Sequence, residues 1–599
     1  MIKDANVVDL LDPVLFKHVN ESLGFKKFTA VQETAIKHFL NKFDCIVQAP
    51  TGSGKTLAYL LPMLQILNSK RSKADDDRCE VLAIILAPSR ELVTQISNVL
   101  RPMAEKFDYN VIKLIGGGGT KVTKEKAFQK QCIVVGTPVR LEHTITKFPH
   151  LKPSFRALEM LIVDEADRFA DQEFKTSVST ILSCIPKQRH TGLFSATQAK
   201  EVEELLKFGL RNPVRINVAS DGAIKVGESM DDIKQEIQTE VAPKELENYY
   251  TCVPADQKLL ALINFLNENP NSKVLVFVCS SAAVDYFNDI LPHLIQKTKR
   301  QFLAVHRRKY SKRQKIIDTF RKSKKAVLLC TDLMARGLDI TDIDWVFQYD
   351  IPKQSSWFVH RSGRTARSGR VGKAVVLLTQ EEEAYVEFMQ NYEHIQLFKH
   401  KINGLNETAA VELREKVRKI AVTDRRILLN GTRAFVSFIE AYVKHDCQIV
   451  CKLKDQDIAG IAHSFGLLRL PLMRELRGRT DLKNFEKAEI TTSNIAFKDP
   501  KKEAVRLEKQ KEKREAQSVE KEKQVAKEKQ RTENPSKRQI KRKFAEAKDV
   551  GNLDDPMQKP KKLKKTRKEV EWQELQSDER LLKGYKKGKI SKSELNERL

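Results

Sequence analysis

Short runs of β-branched and aliphatic residues recur along the chain, each followed by a helix-length stretch that is apolar on one face. The first series occupies 44–50, 81–88, 131–138, 160–167 and 191–197, and the second 273–280, 301–306, 326–332, 345–350 and 373–379. A strand that is apolar at successive positions is covered on both faces, as in parallel sheets flanked by crossover helices. Two such series predict two α/β domains. Between them 219–246 is polar, contains glycine and has weak periodicity, and it reads as a linker. From 406 to 476 the period becomes helical, with Phe435, Phe438, Ile439, Tyr442 and Val443 on one face. This predicts a small, mainly helical third domain. The expected organisation is 1–220 and 246–395 as α/β domains, 221–245 as linker, 396–500 as a helical extension and 501–599 as a basic tail.

Composition adds a partner. Lys and Arg number 107 against 79 Asp and Glu, a net charge of +28, so a polyanion is the expected ligand. The tail is apolar-poor and carries +13 of that charge, a solvated helix or disordered segment without a packed core. The run Lys559-Pro560-Lys561-Lys562-Leu563-Lys564-Lys565-Thr566-Arg567-Lys568 suits nuclear import or RNA contact. Nine irregularly spaced cysteines read as thiols of a reducing compartment. No apolar run approaches the ~20 residues of a membrane span, and the N-terminus lacks a basic region followed by an apolar stretch, so neither membrane association nor secretion is expected. His445, Cys447 and Cys451 fall one ligand short of a tetrahedral zinc site.

The candidate chemistry lies at strand ends. Ala49-Pro50-Thr51-Gly52-Ser53-Gly54-Lys55-Thr56 follows a strand and opens a helix. Glycines there let backbone amides turn toward phosphates, Lys55 reaches the β- and γ-phosphates, and the Thr56 hydroxyl suits Mg²⁺. Met160-Leu161-Ile162-Val163 then runs into Asp164-Glu165-Ala166-Asp167, carboxylates at a strand's C-terminal end. Such residues hold a metal and polarise water, or they are merely an acidic first helical turn.

Asp164-Glu165-Ala166-Asp167, Ser195-Ala196-Thr197 and His360-Arg361-Ser362-Gly363-Arg364-Thr365-Ala366-Arg367 together resemble the signature of the DEAD-box RNA helicases. Pro88-Ser89-Arg90-Glu91-Leu92, the glycine run 116–119, Thr137-Pro138-Val139-Arg140 and the stretch from Thr331 to Asp339 occur in that family's order, between Gln32 and Arg367. The sequence departs from the family at Phe28, where proline is usual, and at Val7, where an aromatic is usual. It departs again at Arg307, which replaces a glycine, and at Ser311 and Gln314.

The resemblance implies two tandem RecA-like parallel-sheet domains that bind ATP and Mg²⁺ and hydrolyse ATP on RNA. Residues 49–56 would cradle the triphosphate, Gln32 would read adenine and Asp339 would contact ribose. Asp164 and Thr56 would hold Mg²⁺, in the case of Asp164 through water, while Glu165 would deprotonate the attacking water. Arg364 and Arg367 would act as arginine fingers. Asp167, Ser195, Thr197 and His360 would couple the two domains. Pro88, Arg90, Gly117, Thr137, Pro138, Arg140 and Thr331 would grip the RNA backbone. The stretches Ala434–Tyr442 and Ser464–Pro471 resemble the extension of nucleolar members that assemble the large (60S) ribosomal subunit. That implies pre-ribosomal RNA and pre-60S assembly factors as partners, a monomer inside a ribonucleoprotein, and residence in the nucleus and nucleolus. A DNA translocase and a non-catalytic RNA clamp are the rival readings.

Overall fold

The computed structural model describes residues 6–25, 27–50, 52–70, 80–116, 128, 130–170, 172–196, 210–211, 213–218, 224–227, 246–295, 300–306, 310–332, 340, 342–366, 370–512 and 515. The chain divides into Met1–Glu503 and Ala504–Leu599. Of the second unit the described start, 504–512, is helical. The basic run at 559–568 lies outside the described residues.

The first unit holds two sheets. Strands β1 (Cys45–Gln48), β2 (Val81–Leu86), β3 (Asn110–Leu114), β4 (Cys132–Gly136), β5 (Met160–Asp164), β6 (His190–Ser195), β7 (Val214–Val218) and β8 (Ile224–Gly227) build the first, in the order β3-β4-β2-β5-β6-β1-β7-β8. All pairs are parallel except β7 with β8. The second contains β9 (Leu246–Val253), β10 (Val274–Phe277), β11 (Gln301–Val305), β12 (Ala326–Cys330), β13 (Trp345–Gln348), β14 (Gly372–Thr379) and β15 (Phe398–Lys399), all parallel, in the order β11-β12-β10-β13-β14-β9-β15.

Strands β3, β7, β8, β9 and β15 escape the continuous-apolar pattern for a physical reason. Toward a sheet's edge one face meets polar surroundings, so β7 alternates buried Val214, Ile216 and Val218 with Arg215 and Asn217. The segment read as linker therefore contains β8, which pairs antiparallel with β7. Likewise β15 lies within the range assigned to the helical extension, yet it is the outermost strand of the second sheet.

Alternation across each strand splits the first domain's core into two apolar layers, Val47 and Ile85 on one face and Ile46 and Ile84 on the other. In the second domain one layer continues without a break into the extension. Val274, Val276 and Phe287 share a single apolar cluster with Phe435, Phe438 and Phe465. The extension is thus a third layer on the second sheet's helices and has no core of its own. Its helices are Glu407–Thr423, capped by the Asn406 side chain, Arg425–Val443, capped by Asp424, and Ile458–Ser464. Gly431 lets helix Arg425–Val443 approach closely, since a Cβ there would lie 2.9 Å from the Tyr286 ring. The Tyr286 hydroxyl in turn donates to the Phe465 carbonyl at 2.5 Å. No helix among the described residues is long and apolar enough to cross a membrane.

Candidate active site at the domain interface

In open α/β sheets ligands bind at the carboxyl ends of the strands. Here the neighbours β5, β6 and β1 end in Asp164, in Ser195 and in the 49–54 loop, respectively. Gly52 and Gly54 adopt φ of +86° and +91°, and helix Lys55–Lys70 starts directly after them. Gly54 is also required sterically, because a Cβ there would lie 2.4 Å from Nε2 of Gln32. That Nε2 donates to the Gly54 carbonyl at 3.1 Å, while Gln32 Oε1 accepts from the Thr29 amide at 2.9 Å. Thr29 Oγ1 donates to the Ser53 carbonyl at 2.8 Å. Gln32 is therefore a brace on the phosphate loop, with one N–H and one lone pair left over for a base.

Lys55 folds over the loop, its ammonium donating to the carbonyls of Ala49 at 2.6 Å and Pro50 at 3.1 Å. Burial lowers its pKa, against the pull of Asp164, Glu165 and Asp167. Burial likewise raises the pKa of Asp164, against the attraction of Lys55 and a 2.9 Å hydrogen bond from the Tyr59 hydroxyl. Both charges thus sit in a low-dielectric site that their mutual attraction does not fully compensate. A polyanion beside Lys55 and a cation beside Asp164 would each relieve one of them. The Thr56 hydroxyl and the Asp164 carboxylate are hard oxygen donors, the set that suits Mg²⁺. Glu165 follows at φ +50°, a left-handed conformation that typically costs a non-glycine residue about 1–3 kcal/mol and clusters at functional sites. Its amide donates to Asp164 Oδ1 at 2.9 Å, which ties the pair into one unit.

The second domain closes on this edge. Asp167 accepts from Ser195 Oγ at 3.0 Å through one oxygen and meets His360 Nε2 at 2.8 Å through the other, the latter contact almost wholly buried. Helix Ser356–Ser362 carries His360 and Arg361 and leads into Arg364, whose Nε donates to the His360 carbonyl at 3.1 Å. Arg364 lies close enough to Lys55 for the two cations to repel. Two further contacts span the domains. Arg313 pairs with Glu91 at 3.0 Å, both buried, and the Arg168 guanidinium lies 5.4 Å from the Trp357 ring centre.

The described residues expected to touch RNA follow β2, β4 and β12 at the same carboxyl edge, in loops or in the first turn of a helix. Ser89 caps helix Arg90–Ala104, beside Pro88, and Arg90 packs so tightly on Gly116 that a Cβ there would meet its Nη2 at 2.9 Å. Thr137 and Pro138 open helix Pro138–Lys147, which bears Arg140, and Thr331 directly follows β12. Thr51, Gly117, Thr197, Asp339 and Arg367 lie outside the described residues. Sequence reasoning gave no role to Tyr59, Arg361, Arg313 or Trp357. Tyr59, three residues after Thr56 on the same helix face, was open to detection by spacing; the others act through contacts between the domains or between distant strands.

Residues 29–205 match the family model DEAD/DEAH box helicase and 257–369 the helicase conserved C-terminal domain. Residues 424–473 match the model ATP-dependent rRNA helicase SPB4-like, C-terminal extension. A probable ATP-dependent RNA helicase DDX55 homolog of Caenorhabditis briggsae is 44% identical over 96% of this chain and 95% of its own length. The ATP-dependent RNA helicase DDX55 of Homo sapiens is 38% identical over 96% and 92%. Among solved structures, the DEAD-box helicase Mss116 bound to ssRNA and UDP-BeF matches with TM-score 0.67 at 22% identity, over 80% of this chain and 96% of that one.

Proposed function

Because the chain belongs to the DEAD-box ATP-dependent RNA helicases, we propose that its interface of Lys55, Asp164, Glu165, Asp167, His360 and Arg364 hydrolyses ATP only when the two domains close on RNA. Lys55 binds the terminal phosphates of ATP and the amides of the 49–54 loop orient them. Thr56 and Asp164 would hold Mg²⁺, whose chemistry is to neutralise charge on the β- and γ-phosphates. Glu165 orients water and takes its proton, and Arg364 stabilises the charge that develops on the transferred phosphoryl group. The Ser195–Asp167–His360 chain couples that step to the position of the second domain. This reading rests above all on the 2.8 Å His360–Asp167 contact, which joins residues 193 positions apart only when the domains are closed.

Closure also juxtaposes the RNA loops. Arg90 and Arg140 come from the first domain and Thr331 from the second, and backbone and 2′-hydroxyl contacts account for RNA preference with little base reading. The substrate is ribosomal RNA in precursors of the large (60S) subunit, handled in the nucleolus by a monomer among pre-60S assembly factors. The match of 424–473 to the rRNA-helicase extension supports this substrate. Crosslinking full-length protein to RNA in cells and mapping the crosslinks tests it. Crosslinks concentrated on large-subunit ribosomal RNA and its precursor are expected; concentration on messenger or small-subunit RNA would overturn it.

A further inference from the structure

The loop that launches the arginine helix is anchored from beneath by the extension. Arg361 donates in bidentate fashion to Asp332, just beyond Thr331, and through Nη1 to the Asp350 carbonyl at 2.6 Å. Asp350 is itself pinned by its side chain. One oxygen accepts from the Cys279 amide at 2.8 Å and the other pairs with the Lys258 ammonium at 3.5 Å. Lys258 and Asp350 are 4% and 5% exposed, so this is an ion pair inside the protein. The Lys258 ammonium lies 5.0 Å from the Tyr349 ring centre and 5.6 Å from that of Phe438, a residue of the extension. The extension holds the far end of the same loop too, where the Asp446 amide donates to the Lys353 carbonyl at 3.1 Å.

Packing fixes only part of this loop: Tyr349 and Ile351 join the second domain's apolar cluster. A cavity of about 130 Å³ opens between the extension and the loop, and Ile351, Trp357, Arg361, Phe438 and Tyr442 line it. Across that space the polar links Lys258–Asp350–Arg361, with Phe438 facing the ammonium, fasten the loop.

We propose that Phe438 and Lys258 are positioning residues for ATP hydrolysis: the extension's aromatic face holds the buried ammonium that pins Asp350, and through Arg361 this sets the helix carrying His360 and Arg364. The extension then governs turnover. A desolvated cation over an aromatic face is a stronger contact than an exposed one, and its loss acts on geometry where small misplacements are expensive in rate.

The test uses full-length protein at saturating RNA and rests on Arg364 being the finger, so Arg364→Ala is the control. Phe438→Leu keeps an apolar side chain of similar reach and removes the π face. It should lower kcat about tenfold while KM for ATP stays within about twofold. Phe438→Trp should restore turnover. Lys258→Met in the Phe438→Leu background should cost no more than Lys258→Met alone, because both remove the same link. Phe438→Leu with wild-type kcat, additive losses, or no rescue by tryptophan would overturn the proposal. Wild-type turnover of Arg364→Ala would instead overturn the reading of the finger. If Lys258→Met melts before assay, the Phe438 series alone decides.

Discussion

Glu165→Gln should lower RNA-stimulated ATP turnover by about 10²–10⁴-fold and leave ATP affinity near wild type. The substitution keeps the side chain's shape and the hydrogen bond from its backbone amide to Asp164 Oδ1, so the left-handed turn at φ +50° survives. It removes only the carboxylate proposed to take a proton from water. Lys55 keeps its place over the loop carbonyls of Ala49 and Pro50, and the phosphates keep their partner. Steady-state turnover together with equilibrium nucleotide binding separates the two effects. Near wild-type turnover would show that another group serves as the base.

Arg364→Ala should be at least as damaging to turnover, by about 10³–10⁵-fold, the range that arginine fingers supply in related phosphoryl transfers. The arginine lies on the second domain and reaches the Lys55 side of the site only across the interface. ATP affinity in the absence of RNA should therefore change little, because the phosphate loop belongs to the first domain. Single-turnover hydrolysis with RNA bound isolates the chemical step. A variant with normal single-turnover rates would show that Arg364 is structural and not a finger.

Much of the fold was readable because buried parallel strands announce themselves. Residues such as 81–86 and 160–164 are apolar at nearly every position since both faces are covered. Strands β7 and β9 alternate with polar residues and look like loop or linker to the same test. The carboxylates and the glycine-containing loop of the candidate site were legible because each is a contiguous motif at the end of a strand. The contacts that make one site of two domains were not. His360 with Asp167, Arg313 with Glu91 and Trp357 with Arg168 join residues far apart in sequence, and no spacing encodes them. The extension's helical period was visible, but it could not tell a separate domain from a layer sharing the second sheet's core. Only the packing of Phe435 and Phe465 with Val276 and Phe287 settles that.

The direct measurement is ATP turnover of the full-length protein titrated with single-stranded RNA and with DNA of the same sequence and length. Closure on an RNA backbone predicts turnover raised about tenfold or more by RNA and left near its basal level by DNA, because contacts to 2′-hydroxyls are missing. Equal stimulation by both, or turnover indifferent to either, would contradict an interface that completes its active site by closing on RNA.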